Sequence, residues 1–348
     1  MKTYFAIGLM SGTSLDGLDI CYAKFQNIAT WEFEILKTET IPYSPEWKNR
    51  LQNAILLSAE DLLALDKEYG FYLGEKTQEF ISKNNITDLD FIASHGHTVF
   101  HQPQRKFTLQ IADGRAIKLT TKKPVIYDFR SQDVLMGGNG APLVPIGDEL
   151  LFSQYDACLN LGGFSNISLQ KNHQRIAFDI SPVNVVLNYF AEKLGKNYDE
   201  NGDFARNGAI NFKILEQLNA LTFYQKPAPK SLGVEFVNSE IFPLLKDEIP
   251  ENIIATFTEH IAEQIAKVFN DNQLKTVLVT GGGTFNTYLL EKIREKSQTE
   301  LIVPDENIIN FKEALIFAFM GVLRLRNEVN VLCSATGSSE NHCSGILV

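Results

Sequence analysis

The chain has 348 residues, 32 basic and 42 acidic side chains and a formal net charge of −10. At about 100–200 residues per domain, this length predicts two domains or lobes. Hydrophobic residues at 44% with charged residues at 21% exclude a disordered chain, and an acidic balance without a dense basic patch argues against nucleic acid or an anionic membrane surface as a partner.

Strand-like runs are expected at 4–9, 18–25 and 31–40, the first two joined by a polar turn as a hairpin. Helices follow at 45–56 and at Ala59–Lys83, the second with Ser58 as N-cap. A buried strand at Phe91–Ser94 ends in a His95-Gly96-His97-Thr98 loop, and another at 124–127 ends at Asp128-Phe129-Arg130. The second half opens like the first: strand Ala157–Leu161, a Gly-containing turn, then strands at 167–170 and 175–178. Strand Thr276–Thr280 runs into three glycines, helix 286–296 follows, and an apolar helix is expected at 312–326. Such an order predicts an α/β protein with two similarly built halves. No apolar run reaches the roughly 20 residues of a membrane helix. Residues 4–10 do not form a leader pattern, and the four cysteines contain no CxxC pair. A cytoplasmic location is expected.

Chemistry concentrates in the turns. Met10-Ser11-Gly12-Thr13-Ser14-Leu15-Asp16-Gly17-Leu18-Asp19 carries glycines that let backbone N–H groups approach an anion, and three hydroxyls that add donors. Asp16 and Asp19 suit a phosphate arriving with Mg²⁺ held through water; an ordinary hairpin turn uses the same residue types. Gly162-Gly163-Phe164-Ser165-Asn166 occupies the equivalent place in the second half, so the two turns together could clamp one polyphosphate. Neither matches a P-loop or a Rossmann fingerprint. At Gly281-Gly282-Gly283 a flat group can lie against the backbone, or a phosphate can meet a helix N-terminus. Asp179, in a largely apolar run, needs a partner, a cation or a catalytic role; the structural alternative is a helix cap at Asp179 or Ser181. Arg130, crowded by Asp128 and Asp133 at a strand end, can pair with those acids or hold a substrate carboxylate. His95, His97 and His101 invite a Zn²⁺ reading, but hydrogen bonding to a polar substrate is favoured because no Cys or supporting acid adjoins them.

Taken in order, these motifs resemble one family. Gly8-Leu9-Met10-Ser11-Gly12-Thr13-Ser14-Leu15-Asp16-Gly17-Leu18-Asp19 is similar to the N-terminal signature of the anhydro-N-acetylmuramic acid kinases. The similarity continues through Ser94-His95-Gly96-His97-Thr98, Asp128-Phe129-Arg130, Asn160-Leu161-Gly162-Gly163, Tyr198-Asp199 with Gly202, Pro229-Lys230-Ser231, Gly281-Gly282-Gly283 with Asn286, and Glu313-Ala314. It implies an actin-like/sugar-kinase ATPase fold with two lobes, 1–135 and 136–348, each with a duplicated β-β-β-α-β-α-β-α core; the C-terminal segment is free to pack back on the first lobe. It further implies ATP and Mg²⁺ as cofactors, an anhydrosugar as substrate and a homodimer. The reaction implied is hydrolytic opening of 1,6-anhydro-N-acetylmuramic acid with phosphorylation of O6.

By the same resemblance, Asp179 is the catalytic acid–base residue and Glu313 a second acid. Gly12, Thr13, Ser14, Leu15, Asp16, Gly17, Leu18, Asp19, Gly162, Gly163, Gly281, Gly282 and Gly283 would bind ATP, with Asp16 and Asp19 near the metal. His95, His97, Thr98 and Arg130 would contact the sugar. Two departures stand out. The family's usual Asp-Thr-Gly-Pro-Gly-Asn is Asp179-Ile180-Ser181-Pro182-Val183-Asn184 here, and its usual Gln after His-Gly is His97. A kinase for a levoglucosan-like anhydrosugar, or a nucleotide-binding protein that has lost catalysis, are the alternative readings.

Overall fold

The computed structural model describes residues 2–12 and 15–348, so Thr13 and Ser14 of the first turn lie outside the described residues. The chain clusters into two compact units, Met1–Leu151 with Phe311–Val348, and Phe152–Asn310. The boundary expected at 135/136 therefore falls at 151/152. Residues 136–151 stay with the first unit because the C-terminal segment holds them there: the Asn139 N–H donates to the Thr336 carbonyl at 2.8 Å, and Lys312 pairs with Asp148 at 2.6 Å.

In the first unit, β1 (Thr3–Ser11) pairs antiparallel with β2 (Gly17–Asn27), and β2 with β3 (Trp31–Pro42). β4 (Phe91–Ser94) lies parallel to β1 on its other side, and β7 (Val125–Tyr127) parallel to β4. The strand Ile346–Leu347 closes that edge antiparallel to β7. Between β4 and β7, β5 (His97–Gln102) and β6 (Phe107–Ile111) form a separate hairpin. His97 and Thr98 thus begin a strand rather than a loop, because the strand pairing resumes straight after Gly96, whose φ is +74°. The helix Ala59–Lys83 starts where Ser58 accepts the Asp61 N–H, and buries Leu62, Leu65, Tyr69, Leu73 and Phe80 against the apolar faces of β1 and β2.

The second unit repeats the plan. β8 (Ala157–Leu161), β9 (Phe164–Lys171) and β10 (Gln174–Pro182) form an antiparallel meander. β11 (Thr276–Thr280) lies parallel to β8, and β12 (Glu300–Ile302) parallel to β11. Numbered within each sheet, both therefore run third, second, first, fourth, fifth strand, and the first sheet adds Ile346–Leu347 as a sixth at its edge. Helices Asn184–Lys193 and Pro250–Asp271 cover the apolar face of the second sheet. The second of these carries buried Ile253, Phe257, Ile261, Ile265 and Phe269 at four-residue spacing, a helical stripe that is present in the sequence but was not among the expected helices. The expected 312–326 helix begins earlier, as Glu306–Leu325. Among the described residues no helix is long and apolar enough to cross a membrane.

Candidate active site

The first unit gathers one set of the expected site side chains at the ends of β1, β4 and β7. Most of β1 is buried, and Gly8 brings it so close to helix Glu306–Leu325 that a Cβ there would overlap the Ala314 carbonyl oxygen. That close approach seats Glu313 within electrostatic reach of Asp19. The Asp19 carboxylate accepts the Thr40 hydroxyl at 2.5 Å. Burial raises its pKa, and the neighbouring Asp16 charge raises it further. Burial also raises Glu313, while Arg130 pulls it down and Asp19 pushes it up. Asp16 and Glu313 keep exposed surface and Asp19 is partly buried; like charges so placed are relieved by a cation, so Asp16 and Asp19 have the donor chemistry to take up a divalent ion. Ser11 is held from behind by Tyr43 and Tyr69, each hydroxyl 2.8 Å from its Oγ and 2.6 Å from each other.

Arg130 is desolvated to the point that its pKa falls to about 10, with Glu313 opposing the shift. His95 lies beside it. The His95 Nδ1–H donates to the Gly96 carbonyl at 2.7 Å, and burial with the Arg130 charge holds the ring well below its usual pKa, so it is neutral and Nε2 is an acceptor. His97 is lowered to about 4 by burial. Among the described residues, Ser94 Oγ, His95 Nε2, His97 Nδ1, Gln110 Oε1 and Arg130 Nε are buried without a hydrogen-bond partner. Gln110 donates to the Thr98 hydroxyl at 3.2 Å, which ties Thr98 to the same group. Orphaned donors and acceptors side by side suit a polyhydroxyl ligand, since each is costly to leave unmatched. The three histidines belong to no group of three metal-ligating side chains among the described residues.

The second unit holds the other set. Gly162 and Gly163 close the β8–β9 turn, and their carbonyls accept the N–H groups of Val183, Asn184 and Val185. A Cβ on Gly163 or on Gly282 would meet nothing within 4 Å, whereas Gly281, at φ +85°, and Gly283 are pressed against Leu161. Two of the three glycines thus serve the close packing of chain on chain, and Gly282 leaves backbone open. Asp179 sits where the β9–β10 register shifts. Its carboxylate accepts the Leu232 N–H at 2.8 Å, and its N–H donates to the Lys230 carbonyl at 3.0 Å. Desolvation raises its pKa against that hydrogen bond. It is not a helix cap: the N-cap of helix Asn184–Lys193 is Val183, with no side-chain cap bond.

The departures at 180, 181 and 183 have a structural reason. Ile180, Ser181 and Val183 are 1%, 0% and 0% exposed; the first and last join the core of the unit, and the Ser181 N–H and carbonyl both bond the Ser165 hydroxyl. These three side chains therefore face inward, away from solvent. Other motif residues are structural. The Asp199 carboxylate caps two N–H groups, of Phe204 and Ala205, and Asn286 caps helix Thr287–Lys296.

Two units with the same β-β-β-α-β-α-β plan, each presenting a Gly-rich hairpin turn, define the actin-like/sugar-kinase ATPase fold. The model of the family "Anhydro-N-acetylmuramic acid kinase" matches residues 4–348, and the chain belongs to that family. It is 31% identical to the anhydro-N-acetylmuramic acid kinase of Francisella tularensis subsp. novicida, covering 96% of both chains. With the enzyme of that name from Haemophilus influenzae it shares 33% identity over 97% of this chain and 96% of the other. The corresponding figures for that from Bacillus cereus are 31% and 97% of both.

Proposed function

We propose that this protein is an ATP-dependent kinase that opens 1,6-anhydro-N-acetylmuramic acid with water and phosphorylates O6, giving N-acetylmuramic acid 6-phosphate for cell-wall recycling. The observation that carries the reading is Asp179, a desolvated carboxylate held at a strand irregularity by one backbone N–H, in a chain matched end to end by the kinase family. Its raised pKa suits a group that must take a proton and release it again.

In the reaction, Asp179 takes a proton from the water whose oxygen bonds to the anomeric carbon. The C1–O6 bond breaks, and O6 attacks the γ-phosphorus as ADP leaves. Glu313 is the second acid, its charge balanced by Arg130. Arg130, His95, His97 and Thr98 bind the sugar, with neutral His95 accepting a hydroxyl proton at Nε2. The turn 12–19, with Gly162 and Gly163, receives the phosphates, and Gly281–283 the nucleoside. Asp16 and Asp19 would hold Mg²⁺ through water, and the ion supplies neutralisation of phosphate charge. A cytoplasmic homodimer is part of the same reading.

Incubation with ATP, Mg²⁺ and 1,6-anhydro-N-acetylmuramic acid should yield ADP and a 6-phosphate in equal amounts. In ¹⁸O-water the label should appear at C1; an unlabelled product excludes attack of water there. ATP binding with no turnover of any anhydrosugar would refute the kinase reading.

A further inference from the structure

His260 lies in the middle of helix Pro250–Asp271, fully buried, and takes no part in the proposed chemistry. Its hydrogen-bond directions can be worked out. The Asn219 Nδ2–H donates to the Glu263 carboxylate at 2.6 Å, which can only accept, so Asn219 Oδ1 faces His260 Nδ1 at 2.7 Å. Nδ1 therefore carries the proton. Nε2 is the acceptor, and the Tyr224 hydroxyl donates to it at 2.8 Å. Burial lowers the His260 pKa to about 3 and raises that of Tyr224, so both partners keep these roles through the working pH range.

Tyr224 stands in the short helical turn Thr222–Gln225, and the chain beyond that turn leads to Asp179. The neighbouring Phe223 carbonyl accepts the Lys230 ammonium at 3.2 Å, which also lies 4.5 Å over the Phe223 ring. Both Phe223 and Tyr224 meet the Phe236 ring, at 5.4 and 6.4 Å between centroids. The segment 230–232 is thus strung between fixed points, and its Lys230 carbonyl and Leu232 N–H grip Asp179.

We propose that His260 is a positioning residue: through Tyr224 it fixes segment 222–232, and that segment holds the Asp179 carboxylate in the orientation its role as base requires. The inference rests on the proposed role of Asp179 as the base. Within the second unit, the influences on Asp179 are desolvation and the Leu232 N–H; the Lys230 ammonium is engaged at Phe223. Around His260, Glu259 and Glu263 on its own helix pair with Lys296.

Tyr224→Phe keeps the ring and removes the donor. With the grip on segment 230–232 loosened, the Leu232 bond to the ionised carboxylate weakens and Asp179 becomes harder to deprotonate. The acid limb of the kcat–pH profile should move up by about one unit. Below the limb kcat should fall about tenfold and above it recover to near wild type, with KM for ATP unchanged. His260→Gln, which keeps a donor and an acceptor, should leave the limb nearer its original place than His260→Leu. A Tyr224→Phe enzyme whose activity is unchanged, or falls equally at every pH, overturns the proposal. Asp179→Asn separates the two readings: if it is inactive while the Tyr224→Phe limb stays put, only the positioning role is lost; if it is fully active, the assignment of Asp179 falls and this proposal with it.

Discussion

Lys312 is the residue before Glu313, and its ammonium meets the Asp148 carboxylate at 2.6 Å with the two side chains 7% and 3% exposed. At an effective dielectric near 20 their attraction is about 6 kcal/mol, most of it offset by the loss of hydration on burial. The intact pair therefore adds little net stability, whereas removing one member leaves the other charge buried and costs about 3–5 kcal/mol. Lys312→Met preserves the stem and deletes the charge. Both tryptophans of the chain, Trp31 and Trp47, belong to the first unit, so urea unfolding followed by tryptophan fluorescence reports on the unit that contains the pair. For a slope of ~2 kcal/mol/M the midpoint should drop by about 2 M. The double variant Lys312→Met/Asp148→Ala should lose at least ~2 kcal/mol less than the two single losses added together. Because Lys312 also lowers Glu313, its removal raises that carboxyl further. A loss below ~1 kcal/mol for Lys312→Met, or strict additivity in the double variant, would show that burial has not made these charges interdependent.

Three other outcomes rest on single contacts. Gly8→Ala would drive a methyl into the Ala314 backbone, costing at least ~1–3 kcal/mol and displacing the helix that carries Glu313, so melting temperature and kcat should fall together; an unperturbed melt contradicts the close packing. Gly163→Ala and Gly282→Ala meet open space and should melt like wild type while the Kd for ATP rises about tenfold or more; calorimetry showing unchanged ATP binding removes both from the nucleotide site. Arg115 and Lys67 hold Asp113 well below the usual carboxylate range, in a separate half-open pocket of about 150 Å³ on the first unit. A depressed folded-state pKa gives stability that is fully present above the unfolded value near 4 and is lost progressively as pH falls from there through the much lower folded value. Arg115→Met should therefore lower the melting temperature most at pH 7, and by a steadily smaller amount as pH is taken below 4; a drop that does not shrink with acidification contradicts the pairing.

Much of the architecture is legible in the chain because it rests on local rules. Alternating or continuous apolar runs bounded by polar turns mark the strands, Ser58 marks a helix start, and two strand–turn–strand patterns about 150 residues apart announce the duplication. The site motifs show for the same reason: Gly, Ser and Asp packed into one turn, or three consecutive glycines, are uncommon unless a backbone must be approached closely. What misleads is any feature whose meaning depends on a distant partner. The helical stripe from Ile253 to Phe269 is plain in retrospect, yet His260 within it has no local signal, since Asn219 and Tyr224 are 41 and 36 residues away in the chain.

By itself the sequence determined the α/β class, the repeated plan, where the Gly-rich turns fall, and the family to which the chain belongs. Only the tertiary structure decided that residues 136–151 belong with the first unit, that Ile180, Ser181 and Val183 point into a core, and that Gly281 and Gly283 serve packing while Gly282 stays open. It alone set the protonation preferences of Asp19, His95, Arg130, Asp179 and Glu313. Desolvation and Coulomb interaction act through space, so a carboxylate's chemistry depends on what folds around it and not on its neighbours in the chain.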